Sequence, residues 1–116
     1  ADKARVTWGA QSKEFTAAQL AAGINLAAEF QKTPFDAAFA GVINAIRLKQ
    51  EYETPMIKGM ITNFRSFAGD AKADPEFAAA LETLKQKMLS KQASLDAATR
   101  KLLVPVKHTV KVEPLK

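Results

Sequence analysis

The longest regular pattern of hydrophobic positions runs from Thr33 to Phe67. Its apolar residues recur at spacings of three and four, the period of an amphipathic helix. They are Phe35, Phe39, Val42, Ile43, Ile46, Met56, Ile57, Met60, Ile61, Phe64 and Phe67. Thr33 supplies an N-cap hydroxyl, and Pro34 fits the first helical position. The pattern predicts a helix over residues 34–67 with a kink near Pro55, because proline removes a backbone donor.

A second helical pattern follows. Asp74-Pro75-Glu76 combines an N-cap carboxylate, a proline at the first helical position and an acid at the positive end of the helix. Its apolar stripe contains Phe77, Leu81, Leu84, Met88, Leu95, Leu102 and Leu103. This predicts a helix over residues 75–103. Because the connection between the two long helices is short, we expect them to pack as an antiparallel helical hairpin.

Both ends of the chain alternate as strands do. Residues 4–8 predict one strand, and residues 13–15 a short return strand after a turn. Thr16 and Gln19 form a capping-box pattern that opens a short helix over residues 17–23. Residues 104–113 predict a third strand.

The faces of this third strand differ in character. One face carries Val106, His108, Val110 and Val112, and the other carries Lys107, Thr109 and Lys111. We expect the valine face to be buried against the N-terminal hairpin. The prediction is a single α+β domain over residues 1–116, mostly α, in which a small three-stranded antiparallel sheet lies at the base of the helical hairpin.

Composition excludes several kinds of site. The chain has no cysteine, which rules out disulfides, thiolate metal sites and cysteine nucleophiles. No run of apolar residues is long enough to span a bilayer. The net charge of +5 is concentrated after Lys85, but the basic strand lacks interleaved exposed aromatic residues, which argues against a nucleic-acid partner.

Candidate chemistry is sparse. His108 is the only histidine, and no Asp or Glu lies at a spacing that would orient it as a general base. A structural role for His108 is therefore predicted. We assign no catalytic residue, no metal ligand and no cofactor-binding residue in this chain.

Polar residues interrupt the first long apolar stripe. Lys49, Glu53 and Pro55 occupy positions where the stripe would continue, and Lys49, Glu53 and the neighbouring Tyr52 mark a patch that could face a partner. They are candidate interaction residues, together with Lys107 and Lys111 on the terminal strand. The alternative is that the charged members form surface ion pairs within the helix and a lysine-guarded sheet edge.

The order of segments resembles the C-terminal region of bacterial SGNH (GDSL-type) hydrolases. The resemblance rests on Arg5-Val-Thr-Trp8, Glu14-Phe-Thr-Ala-Ala-Gln-Leu-Ala-Ala-Gly-Ile-Asn-Leu-Ala27, Thr33-Pro-Phe35, Lys49-Gln-Glu-Tyr-Glu-Thr54 and Val104-Pro-Val-Lys-His-Thr-Val110. In that group a flavodoxin-like catalytic domain precedes a similar stretch. The nucleophile serine, the oxyanion-hole Gly and Asn and the Asp-x-x-His pair of the group have no match here.

The resemblance implies a non-catalytic accessory or interaction module at the C-terminus of an ester hydrolase, in the periplasm or secreted. Its partners would be the upstream catalytic domain or a second copy in a homo-oligomer. Whether the whole protein is an enzyme then depends on that upstream domain. The alternative is a free-standing helical-hairpin adaptor that binds a protein or an anionic surface. What the reading frame encodes before Ala1 separates the two.

Overall fold

The computed structural model describes all 116 residues. The chain is α+β and mostly α, as the sequence predicts. The pattern along the chain predicts one domain, and the structure groups the residues into two compact units. Unit 1 comprises residues 1–40 together with 104–116, and unit 2 comprises residues 41–103.

The elements follow one another with short connections. The first half contains β1 (Lys3–Trp8), β2 (Gln11–Thr16), α1 (Ala17–Ala22), α2 (Leu26–Glu29) and α3 (Asp36–Thr54). The second half contains a π-helical segment (Pro55–Ile61), a 3-10 segment (Asn63–Phe67), α4 (Ala68–Ala73), α5 (Pro75–Lys101) and β3 (Val110–Pro114).

The sheet of unit 1 has the order β2-β1-β3, and all its strand pairs are antiparallel. Gly9 in the β1–β2 turn has a φ of +62°, a conformation that favours glycine. A Cβ at Gly9 would also lie 3.0 Å from the ring of Pro34. The three antiparallel strands expected from the alternating patterns are therefore present, with β1 in the centre.

The core of unit 1 forms on one face of this sheet. Val6, Trp8, Phe15 and Phe30 are buried together. The partly buried side chains packed against them are Leu20, Ile24 and Leu26. Trp8 meets Phe30 edge to face with ring centroids 5.9 Å apart, an arrangement that aromatic pairs prefer.

Local capping explains the two short helices. The Thr16–Gln19 capping box is confirmed: the Gln19 amide donates to the Thr16 hydroxyl, and the Gln19 side-chain oxygen accepts from the Thr16 amide. Gly23 ends α1 with a φ of +87°. The Asn25 side chain then accepts from two backbone amides and starts α2. These caps satisfy several of the backbone donors that the starts of two short helices would otherwise leave unpaired.

The terminal strand is shorter than the alternation predicts. Only Val110–Pro114 pairs with β1, whereas the pattern predicts residues 104–113. Val110 lies opposite Trp8, the last residue of β1, so earlier residues would have to pair with the Gly9 turn. The strand must therefore begin where its partner ends.

The face of β3 that carries Val110 and Val112 is not buried, which corrects the sequence expectation. Val112 lies opposite the buried Val6, yet 56% of its surface is exposed; Val110 is 39% exposed. His108 is also exposed, and Val106 is intermediate. The core lies over β1 and β2, and β3 is the edge strand beyond it.

The first long helix is not continuous. The segment predicted as one helix over residues 34–67 begins at Asp36 and passes at Pro55 into the π-helical segment and then the 3-10 segment. Proline cannot donate to the regular ladder, which explains why the hydrogen-bonding pattern changes there. The short connection expected between the two long helices contains a further helix, α4, and the second long helix ends at Lys101 rather than at residue 103.

Candidate functional site

The candidate interaction residues of the first long helix lie together on one side of α3 in unit 2. Lys49 Nζ lies 3.0 Å from Asp96 Oδ1 on α5 and 3.4 Å from Glu53 Oε1. Gln92 of α5 donates to Glu53 Oε1 at 2.8 Å. These side chains form a polar network between the two helices, which we call the seam network.

Tyr52 extends the seam network by one turn. Its hydroxyl donates to the Met88 backbone carbonyl of α5 at 3.3 Å. Residue numbers fall on α5 as they rise on α3, so the two helices run antiparallel, as the predicted helical hairpin requires. The structure therefore places Lys49, Tyr52 and Glu53 against the second helix of the hairpin. As partner-binding residues they remain a prediction.

Electrostatics favour the charged forms within the seam network. Hydrogen bonds from Arg100, and then from Lys49, hold the pKa of Asp96 below its ordinary value. The hydrogen bond to Asp96 raises the pKa of Lys49 in turn. Lys49 and Asp96 are therefore both charged at neutral pH, and their side chains retain 23% and 33% exposure. At this exposure water still screens the pair, so its contribution to stability is modest.

Several residues predicted to face the hairpin core are instead exposed. Along α3 and the π-helical segment, buried and half-buried positions are interspersed with exposed apolar ones. The exposed apolar residues of unit 2 are Ile43, Leu48, Ile57, Met60, Phe67, Leu84, Leu102 and Leu103. Only Met56 and Thr99 are buried in this unit. The apolar surface of the hairpin is thus wider than the second helix covers.

His108 belongs to an aromatic cluster in unit 1. Trp8 Nε1–H donates to His108 Nδ1 at 3.0 Å. The Phe35 ring lies 4.8 Å from the His108 ring and 5.9 Å from the Trp8 ring. The Nδ1 lone pair is therefore occupied by the tryptophan N–H, which gives His108 a positioning role towards Trp8. Sequence reasoning assigned a structural role to His108 but did not identify these two partners.

Lys107 and Lys111 are not part of one cluster. Lys107 lies in the segment between α5 and β3, outside any strand. Lys111 lies on β3 and forms an ion pair with Glu113 at 2.7 Å. Lys111 and Glu113 share the sheet face of Arg5 and Thr7, which is opposite the core.

No three His, Asp or Glu side chains lie close enough together to hold a metal ion. A cleft of about 860 Å³ near the chain ends is lined by Ala1, Asp2, Lys3, Glu14, Pro114, Leu115 and Lys116. It offers charged groups but no hydroxyl or imidazole that could act as a nucleophile and its base.

No helix is both long enough and apolar enough to cross a membrane. Comparison of the chain with protein-family models, with curated proteins and with solved structures finds no match. The resemblance to SGNH hydrolases therefore remains a prediction that the residues themselves carry.

Proposed function

We propose that this chain is a non-catalytic interaction module that accompanies an SGNH-type ester hydrolase domain. The observation that carries the proposal is that polar side chains in the segments resembling SGNH hydrolases form hydrogen bonds within the fold. The Gln19 and Asn25 side chains cap short helices, and His108 accepts from Trp8. Each of these side chains is engaged in hydrogen bonds that support the fold.

The apolar residues of the same segments support a module that folds around its own core. Val6, Trp8 and Phe15, which belong to the first two resembling segments, are core residues of unit 1. Ile24 and Leu26 of the Gly-Ile-Asn-Leu turn pack against them. The residues that carry the resemblance are therefore largely core residues. An accessory module would share such residues with its relatives, because they maintain a common fold.

Exposed apolar surface supports the interaction part of the proposal. Ile57 and Met60 of the π-helical segment and Leu84 of α5 each expose 40% or more of their surface. Apolar side chains of this size are the kind that a contact with another protein or domain buries, although single exposed ones are ordinary. An adjoining catalytic domain would cover such side chains.

The reading frame that precedes Ala1 provides the test. Its product should contain an upstream domain with a serine that a fluorophosphonate probe labels, and it should hydrolyse acetyl or butyryl esters. The isolated 116-residue chain should show neither property above background. A start codon or a bare signal peptide directly before Ala1 would contradict the proposal and favour the adaptor alternative.

A matched variant tests the division of roles. In the full product, replacing the labelled serine by alanine should abolish hydrolysis, whereas His108→Ala should leave kcat unchanged. A loss of kcat with His108→Ala in protein that remains folded would show that this chain takes part in catalysis.

A further inference from the structure

The open edge of β3 has unused backbone hydrogen-bonding groups. The Leu115 amide donates to the Lys3 carbonyl at 3.0 Å, and the Ala17 amide donates to the Asp2 carbonyl at 2.9 Å. In an antiparallel pair, every second residue directs its backbone amide and carbonyl at the partner strand. Because Lys3 bonds to the β3 side and Asp2 to the β2 side, the backbone groups of odd-numbered β1 residues point to β3 and those of even-numbered residues point to β2. On β3, the partners of Thr7 and Arg5 therefore direct their backbone groups towards β1.

Those partners are Lys111 and Glu113, so the amides and carbonyls of Val110 and Val112 point away from the sheet. No backbone or side-chain hydrogen bond in the chain reaches these outward groups. An edge of this kind is a template for a further strand. At its end, Pro114 offers a carbonyl but no amide, which limits the length of strand that can be added.

We propose that the occupant of this edge is β3 of a second copy, paired antiparallel about a two-fold axis. The axis would pass between the two Val112 residues and join the two sheets into one. Each Val112 then exchanges both of its outward hydrogen bonds with the partner's Val112. The Val110 amide donates to the carbonyl of the partner's Pro114.

Charge selects this register over its neighbours. Outward residues must pair with outward residues, so the registers nearest to this one centre the axis on Lys111 or on Glu113. Centring on Lys111 places two lysines opposite each other, and centring on Glu113 places two glutamates opposite each other. Centring on Val112 places Lys111 opposite the partner's Glu113, and Glu113 opposite the partner's Lys111. Opposite charges across a strand pair are favourable, and like charges are not.

The apolar side of the edge agrees with the same register. Val110 and Val112 share the core face of the sheet and are 39% and 56% exposed. In the dimer the two Val112 side chains lie side by side, and each Val110 lies opposite the partner's Pro114. The existing Lys111–Glu113 ion pair is solvent-exposed, with side chains 64% and 45% accessible, so exchanging partners disrupts no buried group.

The interface is small, so the dimer should be weak. A five-residue edge falls well below the area that stable complexes bury, and such contacts associate at high protein concentration. Sedimentation equilibrium from about 10 μM to about 1 mM should show the mass rising from 12.6 kDa towards twice that value. A mass that stays at the monomer value over this range would overturn the proposal.

Charge variants give the sharper test. Lys111→Glu places four acids at the interface and Glu113→Lys places four lysines there, so each single variant should be monomeric. Mixing the two should restore association as a heterodimer, because every facing pair then has opposite charges. Lys107→Glu makes the same charge change as Lys111→Glu but lies outside β3, so it should still dimerise. Failure of the mixture to associate would contradict the register.

A backbone variant separates edge pairing from other contacts. Val112→Pro removes an amide that points away from β1, so the sheet of the monomer should persist while the dimer is lost. Trp8 fluorescence reports whether the monomer remains folded. Val112→Thr keeps the amide and should still dimerise. Dimerisation of folded Val112→Pro protein to the wild-type extent would overturn the proposal.

Discussion

Replacing His108 by phenylalanine should destabilise unit 1 by removing one hydrogen-bond acceptor. Phenylalanine keeps a ring at the site that lies 4.8 Å from Phe35 and 5.9 Å from Trp8, so the ring contacts are largely retained. The substitution removes the acceptor that lies 3.0 Å from Trp8 Nε1. Trp8 is only 5% exposed, so its N–H would be left without a partner.

The magnitude follows from the cost of an unsatisfied buried donor, about 1–3 kcal/mol. The bond is only partly buried, so we expect the lower part of this range, about 1–2 kcal/mol. His108→Asn should lose less of the hydrogen-bond contribution, because the asparagine Oδ1 lies the same number of bonds from Cα as Nδ1 and can accept from Trp8. It loses the ring contacts instead, which contribute about 0.5–1.5 kcal/mol for each aromatic pair.

Urea unfolding followed by Trp8 fluorescence measures these changes, because Trp8 is the only tryptophan. A double-mutant cycle isolates the hydrogen bond. In a Trp8→Phe background the donor is absent, so His108→Phe should cost little; NMR signals of Val6 report unfolding there. If His108→Phe costs the same in both backgrounds, the hydrogen bond does not stabilise unit 1 and the reasoning fails.

Three further predictions concern unit 2 and activity. Met56→Ala should cost about 2–5 kcal/mol in chemical denaturation because Met56 is 4% exposed, whereas Leu84→Ala, at 40% exposure, should cost under about 1 kcal/mol; equal costs would contradict the assigned burial. The pKa of Asp96 is lowered in the folded state, so the stability that its charged form contributes is present above pH 3.8 and is lost as pH falls through the lowered pKa. Urea unfolding followed by helical circular dichroism should show this loss of stability at low pH, and the pH dependence should be weaker in Asp96→Asn. The isolated chain should not hydrolyse acetyl or butyryl esters above background, and activity that disappears with His108→Ala would contradict the proposed function.

Local signals predicted most of the fold. The Thr16–Gln19 capping box and the Asp74 N-cap depend on residues within three positions of each other, and both form as predicted. The strand alternation around Val6 gave the central strand for the same reason. Such patterns can be read from the sequence because the donor and the acceptor of each capping hydrogen bond are close together in the chain.

Features that depend on distant residues were harder to predict. The start of β3 is set by where β1 ends at Trp8, and alternation in residues 104–109 holds no information about that. The burial of Val110 and Val112 on β3 depends on how far the core of unit 1 extends beyond β1. The partner of the Trp8 N–H is a hundred positions away, and nothing in the local sequence around His108 indicates it.

The same limit applies to Lys49 and Glu53, whose role becomes clear only when α5 lies beside them. Apolar packing alone fixes the axial alignment of two helices poorly, because a shift of one heptad brings other apolar residues to the same positions. With Lys49 paired to Asp96, such a shift would place Lys49 opposite Leu89 or Leu103 and leave the charges unpaired. Polar residues in a helix interface can fix register in this way at some cost in stability. The seam network thus favours the observed axial register of α3 and α5, and apolar residues outside it, such as Ile57 and Leu84, stay exposed.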